Sequence, residues 1–238
     1  MAADNTYPVH SRESGNPAQS PNWVPAFAGT NGLIAVYCNM PRPTVFYIRH
    51  GETDWNVGGR LQGRHDVPLN ARGREQARHC GSLVRDLFDR EGRDTQDVDF
   101  VASPLGRASE TMRLAREAMG LDPDAYRIDE RLTEIAFGDW EGCTLAQLRT
   151  RDPQRLAARE HDKWRFLPPN GESYEMVSVR MRAWYEALDR DVVAVAHGGT
   201  GRGLMAVLGV AKPAAAPLMD VTQGVVYVFE GNRLTRYA

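Results

Sequence analysis

The chain has 238 residues, 42% hydrophobic and 25% charged, with a formal net charge of −2. That length supports one sizeable core, and the near-neutral balance argues against nucleic acid or an anionic membrane surface as the main partner. Three dispersed cysteines, Cys38, Cys80 and Cys143, suggest neither a disulfide framework nor a zinc site and fit a reducing, cytoplasmic setting. No apolar run reaches the length of a bilayer span.

Pro8, Pro17, Pro21 and Pro25, mixed with Ser, Asn, Gly and Ala, break every regular period in the first forty residues. The expectation for 1–40 is a disordered extension, or an over-extended gene start with Met40 as the natural first residue. The segment lacks the basic start and apolar core of a signal peptide. Residues 41–238 read as a single domain.

Thr44–Ile48 is an apolar, β-branched and aromatic run, the pattern of a buried strand, and it ends in Arg49-His50-Gly51-Glu52-Thr53. Gly51 permits a sharp turn there. An arginine and a histidine are thereby placed at a strand's carboxyl end, where open α/β sheets bind ligands. Arginine offers a planar charged fork for phosphate oxygens, and histidine an unprotonated nitrogen near neutral pH. Taken alone, His50 reads more readily as a hydrogen-bonded structural histidine than as a catalytic one.

A loop over 54–69 precedes a helix starting at Asn70, with Ala77, Leu83, Val84 and Leu87 inward and Cys80 as a small core residue. Asp99–Ala102 is the second strand. Ser103 as N-cap and Pro104 at the first helical position start a helix to about Met119, which carries Arg107 about one turn from its anion-attracting end. A short strand, Tyr126–Asp129, leads into an acidic segment ending at Gly142. Further on, Ser173 caps a helix to Arg190 with the apolar stripe Val177, Met181, Trp184 and Leu188. The Asp191–Ala196 strand ends in His197-Gly198-Gly199, with a turn and helix to Leu208, and strands near Val225–Glu230 and Arg233–Tyr237 close the chain. Strand alternating with helix predicts an α/β fold, a three-layer sandwich with a mostly parallel central sheet and helices on both faces.

Four segments in order carry a resemblance: Arg49–Thr53 with Asn56, Ser103–Ala108, Glu134–Gly142 and His197–Gly199. From about Thr44 onward the chain resembles the histidine phosphatase superfamily, in its phosphoglycerate-mutase-like branch. The resemblance implies that His50 attacks phosphorus and carries a phosphohistidine, while Arg49, Arg107 and His197 hold the equatorial oxygens. Glu134 would protonate the departing alkoxide and then take a proton from water. Asn56, Arg60, Gln62 and Gly198 are the candidate substrate contacts. No metal or other cofactor is implied, because the arginines supply the charge a metal would otherwise bring. Of the rival acids, Glu52 reads as structural, Glu141 as a cap or as packing on Trp140, and Glu130 stays a candidate.

In this family the region from Leu145 to Pro169 lies over the site, so a small helical cap is expected at about 140–172. Arg151, Arg155 and Arg159 would share one helical face, repelling one another unless an anion such as a substrate carboxylate or second phosphate is near; a solvated face is the favoured reading. Trp164 and Phe166 either line the pocket or pack beneath the cap. The loop Gly59–Asp66 lacks the Phe-Thr/Ser-Gly-Trp pattern of the glycolytic mutases, so the resemblance favours a metal-independent phosphomonoesterase of the histidine acid phosphatase type. Its expected partner is a small phosphorylated metabolite; oligomeric state is not legible. A 2,3-bisphosphoglycerate-dependent mutase is the alternative. A non-catalytic phospholigand-binding module is a second one, disfavoured because His50 and Glu134 are both present.

Overall fold

In the computed structural model, which describes residues 42–238, six strands form one sheet: β1 Val45–Arg49, β2 Asp99–Ala102, β3 Arg127–Ile128, β4 Val192–Ala196, β5 Val226–Glu230 and β6 Arg233–Tyr237. The readings of 1–40, including a start at Met40, lie outside the described residues. Strand order is β3-β2-β4-β1-β5-β6. The first four strands pair in parallel, whereas β5 joins β1 antiparallel and turns back into β6.

The helices are α1 Asp54–Val57, α2 Ala71–Glu91, α3 Gly106–Ala118, α4 Leu145–Arg151, α5 Pro153–His161, α6 Tyr174–Glu186 and α7 Gly198–Val207. Side chains alternate along the strands, so each face of the sheet has its own core. Phe46, Ile48, Phe100, Ala102, Val193 and Val195 meet Cys80, Val84, Leu87 and Met112 of α2 and α3. Val45, Tyr47, Val101 and Ala194 meet Val177, Met181, Trp184 and Leu204 of α6 and α7 on the other face. This is the expected three-layer arrangement. Trp140, Leu148 and Leu156 form a separate small core inside the cap.

Several boundaries differ from the sequence expectation. The 54–69 loop contains α1, which Thr53 and Asn56 close with a reciprocal capping box. Asn70 caps α2 as read, but Leu83 is only half-buried, at the margin of its core. α3 starts at Gly106, not Pro104, because Leu105 stays extended. Arg107 is therefore the second helical residue rather than a full turn in. β3 has only two residues, both exposed. Ser173 caps α6, which stops at Glu186, leaving Leu188 beyond the helix but packed on the same core. The cap helix breaks at Asp152, since the residue before Pro153 is driven out of the helical region. Arg151 thus belongs to α4 and does not share a face with Arg155 and Arg159.

Candidate active site

β1, β4 and β2 are parallel neighbours, so their carboxyl ends share one edge. Backbone pairing continues one residue further: His50 N donates to Ala196 O at 2.9 Å and Ser103 N to Val195 O at 3.0 Å. This puts His50, His197 and Ser103 in a row, with the two imidazoles 5.1 Å apart between centroids. The chain must turn at once after His50. A Cβ on Gly51 would lie 2.1 Å from the Gly73 carbonyl oxygen, so only glycine lets this turn rest on the first turn of α2.

His50 and His197 are buried, as is Arg107. His50 Nδ1 lies 2.7 Å from the Gly51 carbonyl oxygen. A carbonyl only accepts, so Nδ1 carries the proton and Nε2 keeps the lone pair. Burial, then the Arg49 and Arg107 charges, hold the His50 pKa well below its ordinary value. Burial and the charges of Arg107, His50 and Arg49 do the same for His197. The His197 Nε2 pairs with Ser103 Oγ at 2.7 Å, and Ser103 Oγ accepts from Leu105 N at 3.4 Å. When the serine hydroxyl donates to Nε2, the proton sits on His197 Nδ1, which is buried without another partner and is then a free donor.

Two histidines held neutral in the fold make stability depend on pH. The unfolded chain takes up both protons near pH 6.5, whereas the folded chain refuses them until well below that value. The stabilisation is therefore complete above about pH 6.5 and is lost on acidification, at about 1.4 kcal/mol per pH unit for each histidine. Unfolding free energies from urea titrations at about pH 6.5 and 5.5 should differ by about 2 kcal/mol from this pair, and by half as much in His50→Gln. Equal free energies would show that the rings already carry protons.

Arg49 Nη1 donates to Val221 O at 2.8 Å, while Arg107 Nη1 and Nη2 donate to His65 O and Gly63 O at 2.6 and 2.8 Å. The Nε of each arginine is buried without a partner, as is His197 Nδ1. Burial lowers the pKa of both guanidiniums, opposed by Glu134. An unpaired buried donor costs about 1–3 kcal/mol, a cost understandable where an oxyanion is to be bound. Both arginines line an open cleft with His50, Glu134 and Gly198.

Glu134 Oε1 accepts from Ile135 N and Gly199 N, each at 2.9 Å. The rival acids are otherwise engaged. Glu52 accepts from Asn70 Nδ2 at 3.0 Å and lies near Arg72, tying the strand-end turn to α2. Glu141 Oε1 accepts from Phe137 N and Arg64 N, a cap as read. Glu130 is exposed in a short 3-10 turn and does not line the cleft.

Asn56, Arg60 and Gln62 also line the cleft, with different freedom. Asn56 Oδ1 accepts from Thr53 N and from Gln223 Nε2, so only its amide NH2 remains for a ligand. Arg60 Nη1 donates to Gly142 O at 2.7 Å, joining the first loop to the acid segment. Gln62 is buried and its Oε1 has no partner. Sequence reasoning missed Arg202 and Tyr174, which line the same cleft. Arg202 follows Gly198 by one helical turn on α7, and that i, i+4 spacing, which shares a face, was the available signal. Tyr174 carried no signal beyond following a cap residue.

Of the cap cations, Arg151 donates to Cys143 Sγ and Arg155 to Asp152, both away from the cleft. Trp164 is buried, and Phe166 stacks on Trp140 with centroids 5.0 Å apart, so both pack beneath the cap. Among the described residues, no group of three or more His, Cys, Asp or Glu is placed to hold a metal ion, and no helix is long and apolar enough to cross a membrane.

Residues 45–235 match the family model described as "Histidine phosphatase superfamily (branch 1)". The chain is 38% identical over 175 residues to a glucosyl-3-phosphoglycerate phosphatase of Mycobacterium tuberculosis, covering 68% of this chain and 73% of that one. It is 30% identical over 194 residues to a 2,3-bisphosphoglycerate-dependent phosphoglycerate mutase of Gloeobacter violaceus, covering 77% and 83%. Among solved structures, a putative alpha-ribazole-5'-P phosphatase from Escherichia coli superposes with a TM-score of 0.66 at 28% identity, covering 82% of this chain and 94% of that one. A mycobacterial glucosyl-3-phosphoglycerate phosphatase complexed with VO3 gives 0.65 at 33% identity, covering 82% and 96%.

Proposed function

The chain belongs to the histidine phosphatase superfamily, and from that we propose that it hydrolyses a small phosphomonoester through a phosphohistidine on His50. The observation that carries this reading is the lock of His50 Nδ1–H on the Gly51 carbonyl, which leaves Nε2 unprotonated among guanidinium groups. Nε2 forms the bond to phosphorus as the ester P–O bond breaks. Arg49, Arg107 and His197 donate to the phosphoryl oxygens, where transition-state charge is spread. Protonated Glu134 gives its proton to the departing alkoxide. As carboxylate it then takes a proton from the water that attacks the phosphohistidine, and inorganic phosphate leaves with His50 restored. Arginines supply the charge, so the rate should survive a metal chelator.

We take residues 41–238 as its one domain with 140–172 as the cap, and the unpaired thiols of Cys80 and Cys143 fit a cytoplasmic enzyme. Glucosyl-3-phosphoglycerate and alpha-ribazole phosphate, named for its relatives, are the first substrates to offer. Phosphate release from p-nitrophenyl phosphate, with a base-stable and acid-labile phosphoenzyme, tests the chemistry. Conversion of 3-phosphoglycerate to 2-phosphoglycerate with 2,3-bisphosphoglycerate present, outpacing phosphate release, would favour the mutase instead.

Gly199 provides a separate check on the acid. A Cβ there would lie 2.3 Å from Glu134 Oε1 and 2.6 Å from Ile135 Cγ2. Gly199→Ala should therefore displace the carboxyl and lower kcat on an alkyl phosphate about 10²-fold, with thermal melting confirming a folded protein. An unchanged kcat would remove this carboxyl from the mechanism.

A further inference from the structure

The segment between α7 and β5 runs as a strap along one side of the cleft. Met219 O accepts from Arg202 Nε and Val221 O from Arg49 Nη1, both at 2.8 Å. Two residues further on, Gln223 Nε2 donates to Asn56 Oδ1 at 2.8 Å. Alternate residues of one short stretch therefore reach three side chains that line the cleft. The strap is itself fixed, because Val221 is buried and Thr222 N donates to the buried Tyr227 hydroxyl at 2.5 Å. Its first two contacts use backbone carbonyls, whereas the third uses a side chain.

Asn56 has little else to hold it. It sits in α1, a helix of four residues of which none is buried, too short to be rigid through its own bonds. Its Oδ1 accepts from Thr53 N at 3.1 Å, and a backbone N–H only donates, so this end of the carboxamide is the oxygen. The Gln223 atom on the same oxygen is therefore a donor, the NH2 of its amide. With both donors on Oδ1, the Asn56 NH2 is what this residue offers the cleft. A half-turn of the carboxamide would present an acceptor to phosphoryl oxygens, which are acceptors too, and the attraction would become repulsion.

We infer that Gln223 is a positioning residue for phosphoryl binding: it holds Asn56 with the NH2 turned to the phosphoryl group and does not touch substrate itself. The inference rests on the hydrolase reading above. Because the effect falls on the transferred group and not on the alcohol, it is the same for every phosphomonoester. A single strap thereby sets one amide and two guanidiniums from outside the cleft.

The test is a double-mutant cycle on p-nitrophenyl phosphate, with inorganic phosphate as competing inhibitor. Gln223→Met keeps the bulk and removes the donor. It should lower kcat/KM about 10-fold and weaken phosphate inhibition as much, the size of one misdirected hydrogen bond to a charged group. The same factor should appear on glycerol 3-phosphate. In an Asn56→Ala background the substitution should change kcat/KM by less than about twofold, since no amide remains to be oriented. A role confined to packing the strap would instead multiply the two losses. Should Gln223→Met melt early, Gln223→Leu repeats the cycle. Undiminished kcat/KM in the folded single variant, or losses that multiply, would overturn the positioning role while wild-type turnover upholds the hydrolase. Absence of turnover in the wild-type chain would overturn both.

Discussion

His50→Ala should lower kcat on any phosphomonoester by about 10⁴-fold or more, the size of effect expected when a covalent nucleophile is removed. No other described side chain offers a substitute. His197 is the nearest imidazole, but Ser103 holds its Nε2, and its Nδ1–H is needed as a donor. Radiolabelled substrate quenched in alkali should mark the wild-type chain and leave His50→Ala unmarked. The alanine removes a buried ring, so circular dichroism must show a folded protein before the rates are compared. Activity within tenfold of the wild type would remove His50 from the chemistry.

Glu134→Gln should separate the two halves of the reaction. An alkyl leaving group needs a proton, and losing a positioned general acid costs about 10²–10⁴-fold. p-Nitrophenolate leaves without one, so the first half should proceed close to the wild-type rate. The second half still needs a base for the attacking water, and phosphoenzyme should accumulate. The expected record is a burst of p-nitrophenol, one per chain, followed by slow turnover. A uniform loss on both substrate classes with no burst would mean that Glu134 only supports the backbone at Gly199 and Ile135, which its Oε1 also binds.

Much of this site was legible in the sequence because its chemistry sits where strands end, and strand ends are marked by apolar runs meeting glycine or proline. His50, His197 and Arg49 were found this way, as were the caps at Asn70 and Ser173. What escaped depends on contacts distant in sequence. Ser103 reads as a helix cap from its neighbours, yet its hydroxyl is claimed by His197, ninety-four positions away. The cap cations looked like one repulsive stripe because spacing alone does not show that Asp152 interrupts the helix. Arg159 keeps an inward position after that break, whereas Arg151 turns to Cys143. Arg202 stayed hidden because its importance comes from Gly198 and Met219 lying beside it in space.

Arg107 hangs by both terminal nitrogens from the carbonyls of Gly63 and His65, in a stretch that Glu141 also grips through Arg64 N. The guanidinium proposed to hold phosphate is thus suspended from a surface loop rather than from its own helix. Lengthening or shortening that loop by a single residue would tilt the fork while leaving every named catalytic side chain in place. Evolution can therefore retune such an enzyme by indels at its rim, and engineers should treat residues 59–66 as an adjustable hanger rather than as decoration.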